Sequence, residues 1–404
     1  MPNPFANKHI VLGVTGSVAA YKAVELASKM IQAGALVDVI LTEGALHFVS
    51  ALQFQSVTGR KAYTDADLWG GEAHVVHVSL GHSADLLVIA PVTASTMAKL
   101  ANGLGDNLLS VAALAAHCPL VLAPAMDLGM YQNKATQKNV AVLKERGATF
   151  IGPVEGHLAS GLSGPGRFEE PLNIMAQIRF LLSRGGPLNG KHIVVSAGGT
   201  EEPIDPVRLI TNRSSGKQGY AIAQAALDAG ADVTLISAPT HLVQPIGAKI
   251  IPVQTAAEML QSAMAEVQHA DVLIMAAAVA DFTPAEMAQE KIKKDSGKTE
   301  IHLNPTQDIL LEVAAQKKQT GFPRFTVGFA AESENLLKNA AVKMDKKKLD
   351  MIVANDISHP ESGFEVDVNQ VTLLFKDGSK ETLQTMQKNE VAERILQKVI
   401  GWLC

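Results

Sequence analysis

The sequence predicts an α/β protein built from two doubly wound, parallel-sheet domains in tandem. Three observations predict it. Apolar runs rich in β-branched residues alternate with helical patterns along most of the chain. That alternation breaks at Ser183–Gly190 (SRGGPLNG), a Gly- and Pro-rich stretch that reads as a linker. The opening pattern then restarts: HIVLGVTG is echoed by HIVVSAGG, and ADLLVIAPVTAS by ADVLIMAAAVAD. The echo has two readings, an internal duplication or the likeness that burial imposes on any two parallel-sheet units. The boundary is placed at 188/189, giving domains 1–188 and 189–404.

In the first domain a β-branched run from His9 meets the turn Gly13–Ser17, then a helical pattern, Gly34 and a second apolar run, together a βαβ unit. Further strands are expected at Ala84–Pro91 and Pro119–Pro124. The second domain restarts with a strand from Lys191, a helix over about 216–229 and a strand from Ala231. After Asp281 the chain turns irregular and basic (EKIKKDSGK). A strand from Phe325, a helix from Leu336 to about Lys348 and a strand from Asp350 follow. A hairpin over 369–383 turns at Asp377-Gly378, and a final helix runs over about 389–402.

With 404 residues, 47% hydrophobic and 19% charged, there is ample material for buried cores, which excludes a disordered chain. A net charge of −5 and 4% aromatic residues argue against nucleic-acid binding. Two cysteines, Cys118 and Cys404, exclude a disulfide framework and argue against a Cys-based zinc site. The N-terminus lacks the pattern of a signal peptide, and the most apolar stretches are about half a membrane span long. A cytoplasmic protein with no membrane partner is expected.

The first turn lacks GxGxxG, and the second strand ends in Leu41-Thr42-Glu43 rather than in the ribose-binding acid of a dinucleotide fold. Hydroxyls are abundant instead: Ser17, Thr42, Thr93, Ser95 and Thr96. Hydroxyls and backbone N–H groups at helix N-termini suit a single phosphate, which favours a mononucleotide such as FMN over NAD and argues against a nicotinamide-dependent dehydrogenase. In the second domain, Ser196–Thr200 is a small-residue turn fit for close approach to phosphates, and Ser214–Lys217 precedes a helix. This is a nucleotide loop but not a Walker motif, since GxxxxGK[ST] is absent.

Three strings carry a resemblance: His77–Ser110 (HVSLGHSADLLVIAPVTASTMAKLANGLGDNLLS), Pro124–Tyr131 (PAMDLGMY) and Gly156–Arg167 (GHLASGLSGPGR). The first half resembles the flavin-dependent cysteine decarboxylases. Over about residues 8–400 the chain resembles the bifunctional phosphopantothenoylcysteine decarboxylase / phosphopantothenate–cysteine ligase family of coenzyme A synthesis, with SAGGTEEPIDPVRLITNRSSGKQGYAIA from Ser196 matching the ligase signature. The resemblance implies a flavodoxin-like flavoprotein domain followed by a ligase domain, both Rossmann-like.

For the first half the resemblance implies FMN as cofactor, with Gly16, Ser110 and Met126 joining Ser17, Thr42, Thr93, Ser95 and Thr96 around it. Flavin oxidises the substrate's thiol end to a thioaldehyde, CO2 leaves, and protonation and reduction of the enethiolate give 4'-phosphopantetheine. His77 matches the family's active-site base; the bland alternative is that it is one of three histidines (with His74 and His82) on a surface loop. Two positions depart from the family. Where it carries Asn, whose amide holds the substrate carboxylate, this chain has Asp127, and the flap cysteine that reprotonates the intermediate is replaced by Ser160. A serine hydroxyl is a far weaker acid than a thiol. Three readings stay open: a changed relay in which Asp127, its pKa raised by the substrate carboxylate, supplies the proton; an enzyme that stops at the enethiol; or a flavin-binding scaffold beside a ligase-only enzyme.

For the second half the resemblance implies that CTP activates the carboxylate of 4'-phosphopantothenate as an acyl-cytidylate, which cysteine's amine then attacks. It places Asn212 on the intermediate, and Gly199, Ala277, Ala278 and Asp281 along the nucleotide. Lys291, opening the string Lys291–Lys294, meets phosphate, with Phe329, Lys343 and Lys347 completing the pocket. The alternative for the lysine runs is a solvated loop and a helix C-terminus favoured by its dipole. Mg2+ would be held mainly through the CTP phosphates. The resemblance also implies a homo-oligomer, with flavoprotein halves in trimers, ligase halves in dimers and a dodecamer as the whole, and the hairpin near Val371–Phe375 as a dimer contact. A purely structural assembly protein would leave the lysine and asparagine set unexplained.

Overall fold

A strand buried on both faces must be apolar on both, so it reads as a continuous run rather than an alternation. The computed structural model, which describes residues 3–69, 75–293, 300–332, 336–356 and 367–404, bears this out in two units that meet in sequence at Leu182/Ser183. The helix Pro171–Ser183 carries the chain up to that point, six residues before the boundary read from the sequence.

The front unit is a six-stranded sheet of β1 (His9–Val14), β2 (Leu36–Leu41), β3 (Ala62–Thr64), β4 (Leu86–Val92), β5 (Leu120–Pro124) and β6 (Thr149–Phe150). All pairs are parallel, in the order β3-β2-β1-β4-β5-β6. Without the three-residue edge strand β3, which was too short to read from the sequence, the remaining order is that of a flavodoxin-like sheet. Ile10, Leu12 and Val14 face the helices Ala20–Gln32 and Pro171–Ser183, while Val11, Leu87 and Ile89 face Ala94–Asn102 and Leu108–Ala115. The helix Ala20–Gln32 buries Ala20, Ala23, Leu26, Ala27 and Met30, one face at helical spacing. Burying Leu26 and Met30 contributes roughly 1.5–3 kcal/mol each. Gly34, at φ +96°, turns the chain into β2.

A hairpin of β7 (Val154–His157) and β8 (Ser163–Arg167) then stands off the sheet as a flap.

The rear unit is an eight-stranded sheet. Its strands are β9 (His192–Ala197), β10 (Asp232–Ser237), β11 (Lys249–Pro252), β12 (Val272–Met275), β13 (Phe325–Glu332), β14 (Met351–Asp356), β15 (Val371–Phe375) and β16 (Lys380–Thr382). Their order is β11-β10-β9-β12-β13-β14-β15-β16, parallel except for the expected hairpin β15–β16, which forms an antiparallel edge. The helices Lys217–Asp228 and Lys388–Leu403 pack together, and Ala256–Glu266, Ile309–Thr320 and Leu336–Lys347 enclose another core with Val194, Ile236 and Leu273.

The echo noted in the sequence is an echo of hydrogen bonds. The His9 N–H donates to Asp85 Oδ2 at 2.8 Å, and the His192 N–H to Asp271 Oδ2 at 3.0 Å. In return Asp85 N donates to His9 O at 2.8 Å and Asp271 N to His192 O at 2.9 Å. Burial alone asks for apolar residues at these strands, not for an aspartate at the same place in both.

Candidate active sites

In an open parallel sheet, ligands bind beyond the C-terminal strand ends, where the strand order reverses. In the front unit that place lies between β1 and β4. The hydroxyl of buried Thr15 donates to Pro91 O at 2.8 Å and accepts from Thr93 N at 3.0 Å, fastening the two strand ends together. A Cβ on Gly16 would lie 2.9 Å from the Gly44 backbone, so only glycine lets the turns after β1 and β2 meet. Gly16, Ser17, Thr42, Thr93, Ser95 and Thr96 thus gather at one sheet edge.

A cavity of about 380 Å³ opens there, lined by Ser17, Tyr21 and Lys22, by Met126 and Asp127, and by Ser160 and Arg167 of the flap. Four residues expected from the sequence, Ser17, Met126, Asp127 and Ser160, are brought together. The other expected flavin residues do not line it. Thr93 caps the helix Ala94–Asn102 by accepting from Thr96 N at 3.3 Å, Thr42 donates weakly to Val14 O at 3.4 Å, and Ser110 is buried in a capping box with Asn107. His77, on the helix Val76–Ser83, does not line the cavity either, and its Nδ1 is buried with no partner among the described residues. His74 lies outside the described residues.

Glycines seat the flap. A Cβ on Gly166 would sit 2.4 Å from Met126 O, and one on Gly164 2.9 Å from the Leu128 side chain. Met126 N donates to Gly166 O at 3.0 Å. At the flap tip, Ser160 Oγ donates to Asp127 Oδ2 at 2.6 Å, and Gly129 N donates to Asp127 Oδ1 at 2.9 Å. The Ser160 hydroxyl first, and the Gly129 N–H after it, hold the Asp127 carboxyl below the usual carboxylate range. That is the opposite direction to the one a proton donor needs, and the substrate carboxylate of the expected relay would have to reverse it. The cavity's two cations are already engaged: Glu170 accepts from Lys22 at 2.8 Å and from Arg167 at 2.7 Å.

In the rear unit β9 ends in the turn Gly198–Thr200, which is laced to the segment following β12. Ser196 Oγ accepts from Ala277 N at 3.1 Å, Thr200 Oγ from Ala280 N at 2.9 Å, and Asn212 Nδ2 donates to Ala278 O at 3.0 Å. These bonds open a cleft of about 450 Å³ lined by Asn212, Ala277, Ala278, Asp281, Phe329, Lys343 and Lys347, all expected from the sequence. Lys347 is 3.0 Å from Asp308, which caps the helix Ile309–Thr320.

Gly199 and Lys291 do not line the cleft. Gly199 bridges to Ala278 behind it. Lys291 is exposed, and its neighbour Ile292 is gripped on both sides: Asp205 Oδ2 accepts from Ile292 N at 3.2 Å, and Arg208 donates to Ile292 O at 2.7 Å. Lys294 lies outside the described residues.

Sequence reasoning missed one end of this cleft. Lys388 adds a cation there beside Lys217 of the expected nucleotide loop, and burial together with the Lys217 charge pushes the Lys388 amine below its usual range. Asn355 and Asn369 also line it, each with a buried Oδ1 that has no partner among the described residues. The signal for Asn355 was its place at the C-terminal end of a parallel strand; Asn369 and Lys388 left none.

Charge suits each site to a different ligand. Four lysines in the rear cleft match a polyphosphate. Hydroxyls and turn N–H groups at the front match a monoester phosphate. Among the described residues no three His, Cys, Asp or Glu side chains are placed to hold a metal ion, and no helix is long and apolar enough to cross a membrane.

A family model described as "Flavoprotein" matches residues 2–183, and one described as "DNA/pantothenate metabolism flavoprotein C-terminal domain" matches residues 188–403. The chain is 45% identical over 396 residues to the coenzyme A biosynthesis bifunctional protein CoaBC of Bacillus subtilis (strain 168), covering 97% of each. It is 41% identical over 396 residues to the protein of that name in Vibrio vulnificus (strain YJ016), covering 98% of each. A solved C-terminal domain of a CoaBC protein aligns at 38% identity and a TM-score of 0.46, over 54% of this chain and 98% of that one. On the strength of these full-length relatives, the chain belongs to the bifunctional coenzyme A biosynthesis family, whose members unite phosphopantothenate–cysteine ligase and phosphopantothenoylcysteine decarboxylase activities.

Proposed function

We propose that the rear domain, 189–404, ligates cysteine to 4'-phosphopantothenate with CTP and Mg2+, and that the front domain, 1–188, decarboxylates the product with FMN. One observation carries the reading: the strand ends of the rear sheet bring Asn212, Ala277, Ala278, Asp281, Phe329, Lys343 and Lys347 to one cleft. Lysines there offset the charge of a triphosphate and of the departing pyrophosphate. Asn212 reaches the acyl-cytidylate, Gly199 braces the wall beneath the nucleotide, and Lys291 meets phosphate from its gripped loop. Mg2+ would be held mainly through the phosphates of CTP.

FMN would be held at the front edge by Ser17 and the Gly16 turn ahead of the helix Ala20–Gln32, with Met126 on the same cavity wall. Thr42, Thr93, Ser95, Thr96 and Ser110 would complete its surroundings beyond the same strand ends. When bound, FMN supplies reversible two-electron oxidation at the thiol-bearing carbon. His77 moves the proton of that oxidation. Its position away from the cavity, with an Nδ1 that has no partner among the described residues, suits a site completed by a second copy, in keeping with trimeric flavoprotein halves, dimeric ligase halves and a dodecamer. We place the enzyme in the cytoplasm.

The test is incubation with 4'-phosphopantothenate, cysteine, CTP and FMN, read by mass. The expected product is 4'-phosphopantetheine. Phosphopantothenoylcysteine alone would reduce the enzyme to a ligase, the enethiol alone would show a stalled decarboxylase, and equal yield with ATP would remove the preference for CTP.

A further inference from the structure

The two positions at which this chain departs from its family are hydrogen-bonded to each other. Ser160 Oγ and Asp127 Oδ2 are 2.6 Å apart, one on the flap tip and the other at the head of the helix Leu128–Gln132. A glycine-seated flap base fixes the approach, and the Gly129 N–H fixes the other carboxyl oxygen. A substituted pair that meets across a cavity is a unit, not two independent losses.

We propose that Asp127 and Ser160 form a proton-delivering dyad: Asp127 takes up a proton when the substrate carboxylate enters, and Ser160 passes it to the carbon that has lost CO2. This rests on the decarboxylase reading of the front site. Two carboxylates in one small cavity cannot both stay ionised without a cation between them. Neither cation that lines the cavity is paired with Asp127 among the described residues. Lys22 on the helix Ala20–Gln32 and Arg167 on the flap both bind Glu170. Tyr21 and His157 line the same cavity, Tyr131 lies on Asp127's own short helix, and Lys134 opens the next. Cleavage of the C–COO bond leaves the electron pair on the substrate as an enethiolate. The Ser160 O–H proton then goes to carbon, forming C–H, while the Asp127 proton moves to Ser160 Oγ in the same shift. No free alkoxide forms, and Asp127 ends ionised, ready for the next carboxylate. The reduction that follows is part of the family's reaction.

The test uses the full-length protein loaded with FMN. Calorimetric titration in two buffers of different ionisation enthalpy counts protons bound. The probes are the serine analogue of phosphopantothenoylcysteine, which keeps the carboxylate but has no thiol, and its ethanolamine counterpart, which lacks both. About one proton per site is expected with the first and none with the second. Asp127→Asn should abolish the difference. By mass, Ser160→Ala should lower the ratio of 4'-phosphopantetheine to enethiol by about 10²-fold. Ser160→Cys, which restores a thiol acid on the same flap, should recover it. Equal uptake with both probes, uptake unchanged in Asp127→Asn, or an unchanged product ratio in Ser160→Ala would each overturn the dyad. Protein that binds no flavin or releases no CO2 would overturn the decarboxylase reading itself, and the dyad with it.

Discussion

His9 and His192 open the first strands of their units with the same backbone locks to Asp85 and Asp271, but their rings meet different partners. His9 Nε2 is 2.5 Å from Asp38, and Arg60 donates to both oxygens of that buried carboxylate at 2.7 and 2.9 Å. His192 Nε2 lies 3.0 Å from the hydroxyl of Thr234, the residue that pairs with β9 where Asp38 pairs with β1. One plan is therefore held at the front by ion pairs to a buried carboxylate and at the rear by a hydroxyl that in turn donates to Glu266 at 3.3 Å. At the opposite edge the contrast reverses, with lysines crowding the rear cleft and hydroxyls and turns framing the front cavity.

The largest expected effect breaks the front network. Asp38→Ala leaves the partly exposed Arg60 and His9 without their anion and should cost about 1.5–3 kcal/mol, whereas Thr234→Ala should cost about 1 kcal/mol. Hydrogen exchange on the full chain, comparing amides of His9–Val14 with those of His192–Ala197, reads both; equal losses would end the contrast.

Its pH dependence follows from the same groups. The hydrogen bond to Asp38 raises the His9 pKa against the opposing effect of burial. That contribution is complete below about pH 6.5 and is lost as pH rises through the folded value. Burial would raise the Asp38 pKa, but the bonds from His9 and Arg60 prevail and lower it. Its contribution is present above about pH 3.9 and lost as pH falls through the folded value. Protection of β1 should therefore peak between the two.

Lys343→Ala should lower kcat/KM for ligation by about 10²-fold. Turnover of supplied phosphopantothenoylcysteine should be untouched, and parallel losses would mean the two chemistries share a site.

Gly166→Ala should unseat the flap, at about 1–3 kcal/mol of front-unit stability and most of the saturated product, with ligation intact. The smallest effect expected is none: neither thiol lines either site, and burial pushes the Cys118 pKa up, so iodoacetamide should label exposed Cys404 without slowing decarboxylation.

The strands, the tandem plan and the hairpin at Asp377-Gly378 were legible because burial on both faces and a tight turn each leave a local mark. Motif strings likewise located Asn212, Ala277 and Asp281. What the sequence hid was reach. It named Asp127 and Ser160 as separate departures, 33 residues apart, without showing that they touch. It named Thr93 and Ser110 for the flavin without showing that both also cap helices. It also passed over Lys388 and Asn369, whose neighbours in sequence say nothing of the cleft they enter.

The side-chain carbonyl oxygens of Asn355 and Asn369, which have no partner among the described residues, set a rule of admission for the rear site. An unmet buried acceptor costs about 1–3 kcal/mol. A guest bringing N–H or O–H to that corner relieves the cost on arrival, whereas a guest bringing oxygen sets lone pair against lone pair. Inhibitor chemistry aimed at that corner should therefore carry hydrogen outward.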